Sequence, residues 1–274
     1  MGCTNVQLPR FQRQLVDWLD LNVRHPSYSL FEVDVTQTRQ AIREYRRRTG
    51  RPLSLTAFVT ACFAQAVEEN RLMHACRHGR RRLTIFDDVD VAFAVEHEIE
   101  GHKIPMPSII RSANRMAPYE IEREIRDAKT GTNPRAWAMS WLGPWLLLPG
   151  AVRRFILRRL LANPVRRRRI TGTVMVSAAG MFGMGTGWGV SPPSYTSSLL
   201  IGSLGRKAMP VDGRTDIRQV LNLTVCVDHD VIDGAVAARF SQRLKELIEC
   251  SSGLASAALL SIESDPVTVM VPAE

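Results

Sequence analysis

The sequence predicts an α/β domain, and three observations carry that expectation. Segments of alternating polarity, such as 28–35 (YSLFEVDV) and 220–228 (VLNLTVCVD), interleave with segments of helical period, such as 55–70 and 234–249. The chain has 274 residues, enough to bury a substantial core. Its hydrophobic fraction of 45% and charged fraction of 23% are ordinary for a soluble globular protein.

The elements follow in order. Residues 8–22 read as a short helix or arm. Residues 28–35 alternate and carry Tyr, Phe and Val, which predicts a strand. Thr36 is the expected cap of a helix over 37–48, which Gly50 and Pro52 terminate. Residues 55–70 are apolar on most faces, as a buried helix is. Residues 81–97 suggest two strands around Asp87–Asp88, and 115–128 an exposed helix. Strands are expected at 173–177, 195–203 and 220–228, with a Gly-rich loop between the first two. Gly234 opens a helix to about 249, striped by Ala235, Ala238, Phe240, Leu244 and Leu247. The domain is expected over 1–250, followed by a Ser/Ala-rich tail at 251–274.

Net charge is +9, but residues 151–169 hold eight arginines and no acid, leaving +1 for the rest. The basicity is local, so no nucleic-acid partner is expected. An uncharged run over 136–152 precedes these arginines and is broken by Gly143-Pro144 and Pro149-Gly150. Two readings stay open for this stretch. It is a pair of short helices packed on the domain, or a membrane-surface or partner-docking element at 136–169. The five cysteines form no C-x-x-C pair, and their odd number favours a reducing, cytoplasmic setting. The first residues lack the basic and apolar regions of a signal peptide.

One cluster carries chemistry: Asp228-His229-Asp230-Val231-Ile232-Asp233-Gly234. It lies between an apolar strand and a helix, where a side chain stands at a sheet edge. A histidine there can accept a proton near neutral pH. Gly234 is expected to permit a tight strand-to-helix turn. The aspartates do not read as a metal site, because Asp228, His229 and Asp230 alternate faces in an extended segment. Cys226, with apolar neighbours on alternate positions, reads as a core thiol. Gly183, Gly185 and Gly187 do not make a dinucleotide loop, since Pro192-Pro193 forbid the helix that would have to follow. Arg46–Arg48 and Arg80–Arg82 read as solvated faces.

His229-x-x-x-Asp233-Gly234 resembles the signature of the chloramphenicol acetyltransferase-like superfamily. Its flanks are more similar to the catalytic domain of the 2-oxo acid dehydrogenase acyltransferases. Residues 28–36, 53–69, 84–96, 172–183, 190–204 and 221–240 resemble that family's blocks in the same order. The resemblance implies a mixed sheet flanked by helices. It also implies acyl transfer with coenzyme A as the acyl-carrying co-substrate and no metal. In the family's pattern His229 would be the general base, and Ser177 the hydroxyl donor to the tetrahedral oxyanion. Asp233 would be structural, in a buried charge pair with Arg13 or Arg24. The family's trimers imply a homotrimer, with His229 and Ser177 meeting across an interface.

Four features depart from the family. No lipoyl domain lies ahead of the core in this chain, so a stand-alone enzyme is expected, with a thiol, amine or hydroxyl acceptor left open. Asp230 replaces an Arg common in the dehydrogenase family, and a carboxylate beside His229 would raise its pKa. The insert at 129–170 replaces a short connection. The tail has no role in the family. A non-catalytic oligomeric scaffold or acyl-binding protein of the same fold is the alternative.

Overall fold

A mixed six-stranded sheet, in the order β1-β8-β7-β6-β4-β5, organises the chain. The computed structural model describes residues 10–79, 81–99, 102–130, 144–145, 147–178, 186–251 and 254. Helix α1 (Arg10–Leu21) leads into β1 (Pro26–Asp34), then α2 (Thr36–Thr49) and α3 (Leu55–Glu69). A separate two-stranded sheet follows, β2 (Cys76–His78) with β3 (Arg82–Thr84). Next come β4 (Val91–Ile99), β5 (His102–Ile110) and α4 (Pro118–Thr130). The basic region forms α5 (Gly150–Leu161) and α6 (Pro164–Thr171). Strands β6 (Val174–Ser177), β7 (Ser197–Val211) and β8 (Arg214–Asp228) precede the last helix, α7 (Gly234–Glu249). The β4–β6 and β6–β7 pairs are parallel and the others antiparallel.

Strand alternation divides the sheet chemically. Leu221, Leu223, Val225 and Val227 of β8 join the hydrophobic core. So do Leu199 and Ile201 of β7 and Val91, Phe93 and Val95 of β4. Helices α3 and α7 complete that core, with Phe63 meeting Phe240 edge-on at 5.8 Å between ring centres. The alternate residues of β8 are also buried, and Asn222, Thr224 and Asp228 among them are polar. Asp228 comes from that polar set, and the candidate site is built around it.

Several elements differ from expectation. Thr36 does not cap α2; it is the helix's first residue, and its Oγ1 accepts from the Gln219 amide at 2.8 Å. Ser54 caps α3, accepting from the Ala57 amide at 3.1 Å. Strand β5 was not expected because Pro105 and Pro107 remove two amide donors; an edge position tolerates that loss. Strands β7 and β8 extend far beyond 195–203 and 220–228 as a long hairpin. Its turn is Asp212-Gly213, with φ of 48° and 76° at the two residues. Much of the extension is exposed, so its sequence shows no apolar stripe. Leu254, past the expected boundary at 250, is buried in the core.

The basic region packs as two helices. Buried Arg153 of α5 pairs with buried Asp17 of α1 at 2.8 Å, and Arg154 joins the same carboxylate at 3.1 Å. The uncharged residues 136–143 lie outside the described residues, as do 255–274. No described helix is long and apolar enough to cross a membrane.

Asp90 ties α6 to the sheet. Arg168 approaches it at 2.8 Å, Arg111 at 2.8 Å and the Ser112 amide at 3.0 Å. Gly172, with φ of 77°, lets the chain pass close to β4. A Cβ there would lie 2.8 Å from the Asp90 carbonyl oxygen. Burial by itself would raise the Asp90 carboxyl. Hydrogen bonds from Arg168, the Ser112 amide and Arg111 outweigh it and hold the pKa below the ordinary carboxylate range. A lowered folded pKa means this stabilisation is complete above the unfolded value, near 4. It is lost as pH falls through the folded value. Urea denaturation from pH 6 to pH 2 should therefore show a steeper acid loss for the native chain than for Asp90→Asn. Parallel profiles would show that Asp90 does not couple stability to protons.

Candidate active site

The site begins where β8 leaves the sheet. Asp228 is fully buried, and Arg24 meets it at 2.5 Å. Arg24 also donates to Thr196 Oγ1 at 3.4 Å, and the Asp228 amide donates to the Thr196 carbonyl at 2.9 Å. The Asp228 carbonyl accepts from the Val231 and Ile232 amides, each at 3.0 Å. Asp228 Oδ1 accepts from the Asp230 amide at 3.2 Å. Ile232 then anchors the turn in the core. These bonds satisfy a sharp reversal and hold His229 at its apex. The His229 amide donates to the His25 carbonyl at 2.7 Å, one step beyond the Pro26–Asp228 pair. Its imidazole is exposed in the single chain.

Asp230 has partners of its own. Its carboxylate turns to His25 Nδ1 at 2.9 Å and to the Arg77 guanidinium. The His25 hydrogen bond and then Arg77 hold its pKa below the ordinary carboxylate range. Its charge is thereby engaged by a clasp joining β1, β2 and the turn after β8.

Asp233 is not in a buried charge pair with Arg24, because Asp228 takes that arginine. Asp233 is exposed and is the N-cap of α7, accepting from the Val236 amide at 2.8 Å. Its carboxylate thus faces the positive end of the helix. Gly234 does not build the turn either. Its φ is not left-handed, and a Cβ there would meet nothing within 4 Å. Residues 228–232 make the reversal instead. Cys226 is a buried thiol on the same face of β8 as Thr224 and Asp228, and burial pushes its pKa up to about 11. With Asp228 on Arg24, Asp230 on His25 and Arg77, and Asp233 on the α7 cap, these carboxylates are engaged elsewhere. No metal-binding group of three occurs among the described residues.

Ser177 ends β6, half-buried, with no side-chain hydrogen bond among the described residues. The register places it beside Leu200, and Leu200 beside Thr224. His229 therefore lies two strands across and just past the end of β8, five residues beyond Thr224. At about 4.8 Å per strand and 3.4 Å per residue, the two Cα atoms are about 19 Å apart within one chain. One chain does not bring Ser177 and His229 together.

Sequence reasoning missed Arg24–Asp228 as the scaffold of the turn. The signal was a carboxylate ending an otherwise apolar strand, which demands a cationic partner when buried. His25 and Arg77 carried no local signal, since they reach Asp230 only through the fold.

Residues 3–139 and 162–255 match the family model described as 2-oxoacid dehydrogenases acyltransferase (catalytic domain). One relative is the lipoamide acyltransferase component of the branched-chain alpha-keto acid dehydrogenase complex of Bacillus subtilis. It is 25% identical over 234 residues, 81% of this chain and 46% of the relative. The chain thus spans less than half the length of that relative. The cubic core of a pyruvate dehydrogenase multienzyme complex superimposes with a TM-score of 0.68 at 16% identity, covering 93% of this chain and 94% of that one. The dihydrolipoamide acetyltransferase of Azotobacter vinelandii gives 0.67 at 16% identity with the same coverage. The roles of a serine, a histidine and an asparagine in its catalytic mechanism have been investigated. At these identities the superpositions establish a shared fold.

Proposed function

Because the chain belongs to the family of 2-oxoacid dehydrogenase acyltransferase catalytic domains, we propose that it transfers acyl groups between a coenzyme A thioester and a thiol, amine or hydroxyl acceptor. His229 is the general base and Ser177 the oxyanion donor. One observation carries the residue assignment. In the Azotobacter vinelandii protein the investigated serine and histidine are 52 residues apart, as Ser177 and His229 are here. The asparagine follows that histidine by four residues, as Asp233 follows His229.

The chemistry suits these groups. For a thiol acceptor, His229 takes the S–H proton and the thiolate attacks the thioester carbonyl. Electron density moves to the carbonyl oxygen, where the Ser177 hydroxyl donates a hydrogen bond. Collapse expels the second thiolate, which recovers the proton from the His229 imidazolium. The step balances without a covalent acyl-enzyme. Asp233 supports the site as the α7 cap. The separation of Ser177 from His229 in one chain favours a homotrimer whose sites lie between subunits, and the likeness to a cubic core is consistent with larger assembly.

The test uses purified protein, several acyl-coenzyme A thioesters and a thiol acceptor. His229→Ala should lower kcat/KM by about 10²–10⁴-fold. Ser177→Ala should lower kcat by about 10²–10³-fold with little change in KM. Rates for His229→Ala equal to the native rates would end the assignment and leave the non-catalytic scaffold reading.

A second reading, docking through the basic region, has its own observation. Phe155 is 62% exposed and Leu147 70% exposed beside the α5 arginines. Liposome co-sedimentation of Phe155→Ser against the native chain tests it, and equal binding rejects it.

A further inference from the structure

Beside Arg24, α6 and the β2 region line a small, partly open cavity of about 20 Å³. That space suits a single water-sized or halide-sized species. Arg24, His74, Arg167, Arg168 and Tyr195 line it, and no carboxylate does among the described residues.

Two of these side chains are incompletely satisfied. His74 is 2% exposed, and neither ring nitrogen has a hydrogen-bond partner among the described residues. Burial, then Arg71 and Arg168, push its pKa down to about 4 against weaker opposing effects of Asp90 and the Phe86 main chain, so the ring is neutral and its one N–H has no well-formed bond. Arg167 donates only to neutral oxygens, Asn22 Oδ1 at 2.9 Å and the Ser194 carbonyl at 3.0 Å. Burial and the neighbouring Arg24 disfavour its charge and outweigh the favourable pull of Asp228. By contrast, Arg24 has Asp228 and Arg168 has Asp90. Among the described residues Arg24 and Arg167 therefore share one carboxylate, Asp228, which is bonded to Arg24, and one positive charge of this half-buried group is left over. A water molecule would satisfy His74 and leave the excess positive charge of Arg24 and Arg167 unbalanced.

We propose that this cavity binds a single chloride ion, held between Arg167 and His74. The ion balances the guanidinium and accepts the imidazole N–H, and it stiffens the shell beside Arg24. This site is separate from His229 and stands whether or not the acyl-transfer reading holds.

Thermal unfolding of the full chain tests it, in sodium chloride against sodium gluconate at matched ionic strength. Chloride should raise the midpoint saturably by about 3–6 °C. Bromide should reproduce the rise, and sulfate should not. Arg167→Gln should abolish the halide-specific rise. Because that variant also perturbs Asn22 and Ser194, His74→Met provides a second arm. It fills the cavity with a side chain needing no hydrogen bond, and should fold and lose the halide response. A bromide-soaked crystal should show an anomalous peak in the cavity. Midpoints equal in chloride and gluconate, a halide rise that persists in both variants, or a cavity without a bromide peak would each overturn the proposal.

Discussion

Chains carrying His229→Ala, co-expressed with chains carrying Ser177→Ala, should regain acyl transfer that neither variant shows alone. The reason is the register of the sheet. Ser177 pairs with Leu200 and Leu200 with Thr224, which leaves His229 just past the end of β8, five residues beyond Thr224. A rigid sheet cannot close a gap of about 19 Å. If the two groups act on one thioester, they come from different subunits. In a cyclic trimer each interface then takes His229 from one chain and Ser177 from its neighbour. Random mixing gives an interface with both groups intact about one time in four, so activity should return to about a quarter of the native value. Release of coenzyme A thiol measures it directly. A mixture no faster than the two separate variants would reject a shared site between subunits. It would leave Ser177 as an ordinary strand-end serine.

Removing one charge from the Arg24–Asp228 pair should cost far more than removing both. Arg24 is 6% exposed and Asp228 fully buried, so Asp228→Asn strands a guanidinium out of water. Breaking such a pair costs about 3–5 kcal/mol, enough to lower the melting midpoint by about 10 °C or more. The Arg24→Met, Asp228→Leu double variant removes both charges of the pair and should recover much of that loss. Urea denaturation of the singles and the double gives the coupling energy. Equal losses in all three would show that packing, and not charge, holds the turn. Activity supplies a second readout. The Asp228 main chain fixes Val231 and Ile232, while its carboxylate holds the Asp230 amide. The double variant should thus regain stability yet remain below native kcat, because the carboxylate contact to the turn is gone.

Local pattern was enough for much of this chain. Alternation revealed β1, β6 and the apolar half of β8, where each strand has a core-facing side. Helical period revealed α3 and α7, whose buried faces are continuous. The edge strand β5 escaped because its prolines are tolerable only at an edge, and edge position is a property of the whole sheet. The outer hairpin of β7 and β8 escaped because pairing, and not burial, sustains it; the Asp212-Gly213 turn was its one local trace.

For the site, the amino-acid order offered His229, Ser177 and Asp233 as candidates, the roles coming from the resemblance to the family. What each side chain meets was settled by folding. Arg24 reaches Asp228 across 204 residues, Asp230 is captured by His25 and Arg77, and Asp233 is left to cap α7. Charge pairing is chosen by proximity in space and by the cost of burying a charge unmatched, and neither quantity is written in local sequence.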